Sequence, residues 1–431
     1  MGIKYHISKI AETEVFMYRY KKLNNGIRVI GEEIPYLKSI SMGVWFRAGS
    51  ATESGYTDGI SHFIEHMLFK GTETRNAKEL ASRIDNLGGV INAFTGRECT
   101  CYYVKLLDSH INVGIDILSD MILNSKFDES DIEREKSVIL EELKMYEDSP
   151  EDYVFDTLLE KIYENKGVGK NILGNRKSIK SINKEKIMEY YESHYVPENA
   201  VISICGNFDF DKITDMLEEK FGNWSGVHAP KENETEEFHS CCIRKNRDYE
   251  QSNLAICFEG VSAENRKDMY AVSVLNNIVG GGASSRLFQK IREESGLAYS
   301  IYSAEEVYVH RGEFTICASM SAENLKKVYN LIIEEIRDIK ENGISDEEIK
   351  NSKEQLKGSY ILGNEGTESR MISMGKSMIL KNCAETSEEV LEGIESVEPD
   401  NIKRLVDKIF DFDRMGICAA GRNAERVKFA L

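Results

Sequence analysis

The same succession of patterns occurs twice along the chain, at an offset of about 212 residues, and a chain so built has to make one fold twice. The stretch Tyr102-Tyr103-Val104-Lys105 leads into helical periodicity over Asp108 to Leu118; Glu313-Phe314-Thr315-Ile316-Cys317 leads likewise into Ser321 to Ile332. Ile204-Cys205-Gly206 falls opposite Ile417-Cys418-Ala419. Each half reads as strands, helices and a returning strand, which predicts an α+β protein of two homologous α/β-sandwich halves, each a mostly antiparallel sheet packed with helices. At 431 residues the chain is too long for one ordinary core and long enough for two. Between Asn223 and Asn246 the periodicity lapses around Gly226, Pro230 and the acidic run Glu232 to Glu237. The predicted division is therefore 1–225, a linker over 226–245, and 246–431.

Several functional classes drop out early. With 41% hydrophobic and 30% charged residues the chain falls in the globular range, so neither disorder nor a fibrous repeat is expected. Its apolar runs, such as Val201 to Cys205, are strand-sized and far short of the roughly 18 residues that cross a bilayer. The N-terminus, Met1 to His6, lacks an apolar signal core, and His6 stands where a myristoylation motif wants Ser or Thr. A net charge of −18 disfavours nucleic acid and anionic membranes. Nine cysteines form an odd set, and neither Cys99-Thr100-Cys101 nor Cys241-Cys242 has zinc-knuckle spacing. The expectation is a cytoplasmic protein with structural thiols.

Ile27 to Ile30 and Ser41 to Phe46 read as strands, and a helix starting near Asp58-Gly59 ends at Lys70-Gly71. Its apolar Ile60, Phe63, Ile64, Met67 and Leu68 surround His62 and His66, which places both histidines inside. A second helix covers Ala77 to Leu87, β-type alternation runs from Val90 through Leu107, and a long charged helix spans Asp128 to Tyr146. The latter carries Ile132, Val138, Ile139 and Leu143 as its buried stripe.

Histidines four apart on a helix lie on one face, so His62 and His66 can aim ring nitrogens at one ion, with Glu65 beside them. Zinc held by neutral imidazoles lowers the pKa of its water, and a nearby carboxylate can then accept the proton. A lone histidine on an apolar face is more often a satisfied core residue. Two with an intervening glutamate are costly to bury without an ion. Catalytic zinc usually has three protein ligands. The long helix offers Glu135 and Glu142, seven apart on one face, with Glu141 adjacent; one would ligate and another support.

Gly59 to Thr72, with His62-Phe63-Ile64-Glu65-His66 at its centre, resembles the inverted zinc motif of the insulinase and mitochondrial-processing-peptidase family, the M16 peptidases. The resemblance continues through Asn92 to Glu98, Glu133 to Glu142, Ser284 to Phe288 and Arg292 to Tyr299. It implies a LuxS/MPP-like metallohydrolase fold and a zinc metalloendopeptidase acting on peptide or unfolded polypeptide. His62, His66 and Glu142 would be the ligands of one Zn2+ per chain, Glu65 the general base and Glu135 a supporting carboxylate. Asn92 and Ala93 would lie on the edge strand that takes substrate as an added strand. Arg292 and Tyr299 would orient the substrate and stabilise the oxyanion, in trans within a homodimer. Val274, Asn277 and Ile278 stand near the positions offset from His62, Glu65 and His66, so the second half carries no second zinc. Gly280-Gly281-Gly282 lacks the Lys-Ser/Thr of a phosphate loop and reads as a turn. The competing expectations are a non-catalytic partner or scaffold subunit of the same fold and a peptide-binding clamp; intact Glu65 argues against the clamp.

Overall fold

Apolar alternation and buried runs assemble into two sheets, one from each half, in a computed structural model that describes residues 18–231 and 236–429. The first contains β1 (Arg19–Lys22), β2 (Arg28–Glu33), β3 (Ser39–Phe46), β4 (Val90–Thr95), β5 (Thr100–Leu107) and β6 (Ala200–Gly206), in the order β1-β2-β6-β3-β5-β4. The second contains β7 (Cys241–Asn246), β8 (Ser252–Glu259), β9 (Ser300–Val307), β10 (Gly312–Met320) and β11 (Met415–Gly421), in the order β7-β11-β8-β10-β9. Without β1 the two orders correspond strand for strand. Each has a single parallel pair, β2 with β6 and β7 with β11; every other neighbour is antiparallel. The repeat in the sequence is thus a repeat of topology.

The first half adds helices α1 (Ile60–Leu68), α2 (Ala77–Asp85), α3 (Ile111–Asn124), α4 (Glu129–Asp148), α5 (Pro150–Ile162), α6 (Arg176–Ser181), α7 (Lys184–His194) and α8 (Phe210–Phe221). The second adds α9 (Arg266–Val279), α10 (Leu325–Asn342), α11 (Asp346–Gly363), α12 (Thr367–Lys381), α13 (Ser387–Glu395) and α14 (Pro399–Ile409). The alternation over Val90 to Leu107 resolves into the hairpin β4–β5, turned at Gly96, whose N–H donates to the Cys99 carbonyl. Val138 is exposed, not part of the buried stripe of α4, which is Ile132, Glu135, Ile139 and Leu143. β7 begins at Cys241, inside the stretch expected as linker, because it pairs in parallel with β11. Met1 to His6 and most of the acidic run from Glu232 lie outside the described residues. Among those described, no helix is long and apolar enough to cross a membrane, and all nine cysteines are free.

Each half lends a helix to the other. α5 packs its Val154, Leu158 and Ile162 on β8 and β11, while α12 packs Met371, Met374 and Met378 on β3 and β6. Burying such side chains is worth about 1.5–3 kcal/mol each, so the two halves hold each other. α12 comes close because two residues lack a Cβ. One added at Gly375 would lie 2.2 Å from Trp45 Nε1, and one at Gly43 would lie 2.6 Å from the Met371 sulfur. Polar groups close the contact: Trp45 Nε1 donates to Ser203 Oγ at 2.8 Å, and Ser203 Oγ donates to the Met371 carbonyl at 3.0 Å. Gly375→Val should therefore destabilise the protein by about 1–3 kcal/mol, read as a lowered urea midpoint. An unchanged midpoint would show that α12 is not held by this contact.

Candidate metal centre

α1 begins with no cap of its own, since its N-cap is Gly59 at φ 81°. A distant carboxylate does the work: Glu53 accepts from the N–H groups of Gly59 at 2.7 Å and Ser61 at 2.9 Å. Burial pushes the Glu53 carboxyl up to about 8 despite those donors. Phe63, Ile64, Met67 and Leu68 then sink into the first core and fix the rotation of the helix. His62 is buried and His66 half-buried beside it, with ring centroids 4.6 Å apart.

α4 crosses α1 and brings Glu142 to the two rings. Glu142 Oε2 lies 3.8 Å from His62 Nε2 and 3.6 Å from His66 Nε2. One ligand atom from each of the three residues lies within 4.8 Å of the others, the one such cluster of three among the described residues. Seven residues earlier on α4, Glu135 is 2% exposed and meets His66 Nδ1 at 2.9 Å and Lys70 Nζ at 2.7 Å. Glu135 thereby holds the Nδ1 proton of His66 and leaves Nε2 as a lone-pair donor. Burial, with His66 close by, pushes His62 down to about 3, which keeps that ring neutral. Its Nδ1 is buried without a hydrogen-bond partner, so hydrogen bonding on that side does not offset its burial. Two neutral imidazoles and one carboxylate converging on a point fit a zinc ion.

Glu65, one turn from His62, receives a hydrogen bond from Thr95 Oγ1 of β4 at 2.5 Å. Burial raises its carboxyl pKa, against the pull of Thr95 and His66. His62, Glu65 and Glu142 open on a cavity of about 590 Å³ whose walls come from both halves, including Ala93 of β4, Glu306 of β9 and Lys376 of α12. β4 is the edge of its sheet, paired only with β5, so Asn92 and Ala93 stand on a free strand edge. The Asn92 side chain accepts from the N–H of Ala93 at 2.9 Å.

Arg292 and Tyr299 are elsewhere. Arg292 is exposed and stacks 4.7 Å over Phe288, Tyr299 is 60% exposed, and neither lines this cavity. At the offset position, Val274 and Ile278 of α9 are buried in the second core, and Asn277 donates to Ser352 Oγ at 3.0 Å and Gln355 Oε1 at 3.2 Å. A neutral amide network stands where the first half has its triad.

Lys70, Thr95 and Glu53 were not singled out from the sequence. Lys70 follows His66 by four residues, so helical spacing could have found it. The contacts of Thr95 and Glu53 arise only from the fold.

Residues 28–176 match the family described as "Insulinase (Peptidase family M16)", and residues 181–356 match "Peptidase M16 inactive domain". The uncharacterized zinc protease YmxG of Bacillus subtilis is 40% identical over 90% of this chain and 95% of its own length. A zinc protease of Rickettsia felis, also uncharacterized, is 35% identical over 91% of this chain and 95% of its own. A protease from Helicobacter pylori shares the fold with a TM-score of 0.87 at 18% identity, covering 94% of this chain and 99% of that one. A putative M16-like peptidase from Alicyclobacillus acidocaldarius does so with a TM-score of 0.81 at 20% identity, covering 95% and 99%. By its two matched segments and its relatives, the chain belongs to peptidase family M16, the insulinase family.

Proposed function

We propose that the protein is a zinc-dependent endopeptidase that hydrolyses extended or unstructured peptides. The observation that carries this is the convergence of His62, His66 and Glu142 on one point, with Glu65 in the same cavity. When bound there, zinc supplies Lewis acidity, polarising a peptide carbonyl and lowering the pKa of a water. Glu65 takes the proton of the attacking water and passes it to the leaving amine. Its raised pKa suits both steps, and the hydrogen bond from Thr95 Oγ1 to Oε2 orients the carboxylate. Glu135 and Lys70 keep His66 in the ligating tautomer. Asn92 and Ala93, on the free edge of β4, take the substrate as an added strand, so compact folded proteins are poor substrates.

Arg292 and Tyr299 lie away from this cavity and exposed, so in our proposal they serve the site of a second copy, orienting substrate in trans within a homodimer. The test is metal removal. Stripping the protein with a chelator should abolish cleavage of an unstructured 20-residue peptide, and one equivalent of zinc should restore it. Cleavage that survives complete removal of metal would rule the proposal out.

A further inference from the structure

The cavity around Glu65 is not uniformly charged. Along α4 and α5 its wall is acidic: burial raises the Tyr146 hydroxyl pKa, and the charges of Glu142, Asp152 and Asp156 raise it further. Asp156 is paired with Arg97, whereas Asp152 is exposed and makes no ion pair among the described residues. Near the turn from Gly96 to Cys99 the wall comes instead from α12, a helix of the opposite half, and its charged side chain there is Lys376.

Lys376 stands apart from every other charged group on its helix. Glu368 pairs with Lys105, Arg370 with Glu32 and Lys381 with Glu385. Lys376 is exposed and has no hydrogen bond and no ion pair among the described residues. Glu98 is the nearby candidate partner, but both its oxygens accept from the N–H of Val309 at 3.1 Å. The charge of Lys376 still reaches it: burial raises the Glu98 pKa, and Lys376 opposes that rise together with the N–H of Val309 and Arg47. The base of Lys376 is rigid, because Met374 and Met378 on either side are buried and Gly375 is pressed against Trp45. A fixed stem thus presents an unpaired ammonium to a cavity whose other charged walls are carboxylates and Arg97, the latter paired with Asp156. A solvated surface lysine would need neither the rigid base nor the place in this wall.

We propose that Lys376 is a specificity-determining residue that takes an acidic side chain of the bound peptide, at the end of the cavity nearest Glu98. This rests on the reading of the cavity as a peptide-hydrolysing site. Opposite charge draws the correct side chain in, and a basic side chain at the same place meets repulsion, so discrimination has both an attractive and a repulsive part.

The experiment uses fluorescent decapeptides of one neutral sequence with Asp, Asn or Lys placed in turn at each position around the cut. Binding to zinc-loaded Glu65→Gln protein is read by anisotropy, and cleavage is read with Glu65 intact. One position should favour Asp over Lys by about tenfold in Kd. Adding Lys376→Gln should flatten that preference, and Lys376→Glu should invert it there while leaving the other positions alone. A preference for Asp that survives Lys376→Glu, or no position that discriminates, overturns the assignment. Binding that shifts with Lys376 while the intact protein cuts none of the peptides supports the assignment and sinks the hydrolytic reading alone.

Discussion

Glu65→Gln will hold one equivalent of zinc yet lose hydrolysis of unstructured peptides by about a thousandfold or more. The amide has the shape of the carboxylate and can still accept from Thr95 Oγ1, so α1 and the three converging groups keep their places. What it lacks is a basic oxygen. The two other carboxylates beside the histidines are engaged: Glu135 by His66 and Lys70, and Glu142 by facing both His rings. Metal analysis and peptide cleavage on the same sample decide the matter, and wild-type-like cleavage would remove Glu65 from the proposed mechanism. The same variant tests the dimer. Mixed with Arg292→Ala, itself inactive, it should regain activity through sites that combine one chain's Glu65 with its partner's arginine. No recovery in dimers shown to exchange subunits would place Arg292 outside the site.

Glu142→Ala should do the reverse and lose the metal itself. Removing an outer partner of a zinc ligand costs about 10–100-fold in affinity, and loss of a ligand costs more. Two imidazoles would remain, one of them buried with an unpartnered Nδ1, and two neutral rings hold zinc weakly. Zinc retained after dialysis should fall from one equivalent to near none. Glu135→Gln should fall between, because Gln can still accept from His66 Nδ1 but no longer carries the charge facing Lys70. Full zinc retention by Glu142→Ala would move the third ligand to another residue.

Much of this architecture is legible along the chain, for reasons of range. The offset repeat predicts one topology made twice, and the strand orders agree because the alternation that marks a strand also decides which of its faces is buried. The spacing of His62, Glu65 and His66 places them on one helix, since residues within a turn are positioned by their own backbone. Glu135 and Glu142 follow from the same rule on α4, though helical geometry leaves open which of them reaches the histidines. The expected linker overran into β7, because a short strand with an exposed end takes its identity from β11 and not from its own periodicity. Val138 was misplaced because one apolar residue on a charged helix does not define the buried face; Glu135, buried by its contacts with His66 and Lys70, lies on that face instead.

By itself, then, the sequence settles the repeated α+β topology, the helix that carries the inverted zinc motif and the absence of that motif from the second half. Tertiary structure alone decides how α4 crosses α1 and so brings Glu142, the ligand the resemblance implies, beside the histidines, that Glu53 caps α1 from outside it, and that α12 of one half walls the cavity of the other. The physical reason is distance along the chain. A periodic pattern reports the environment of residues within a turn or a strand of one another. The meeting of Glu142 with His62, or of Lys376 with the turn at Glu98, depends on how whole elements pack, where a side chain as small as that of Gly375 sets how close two halves come.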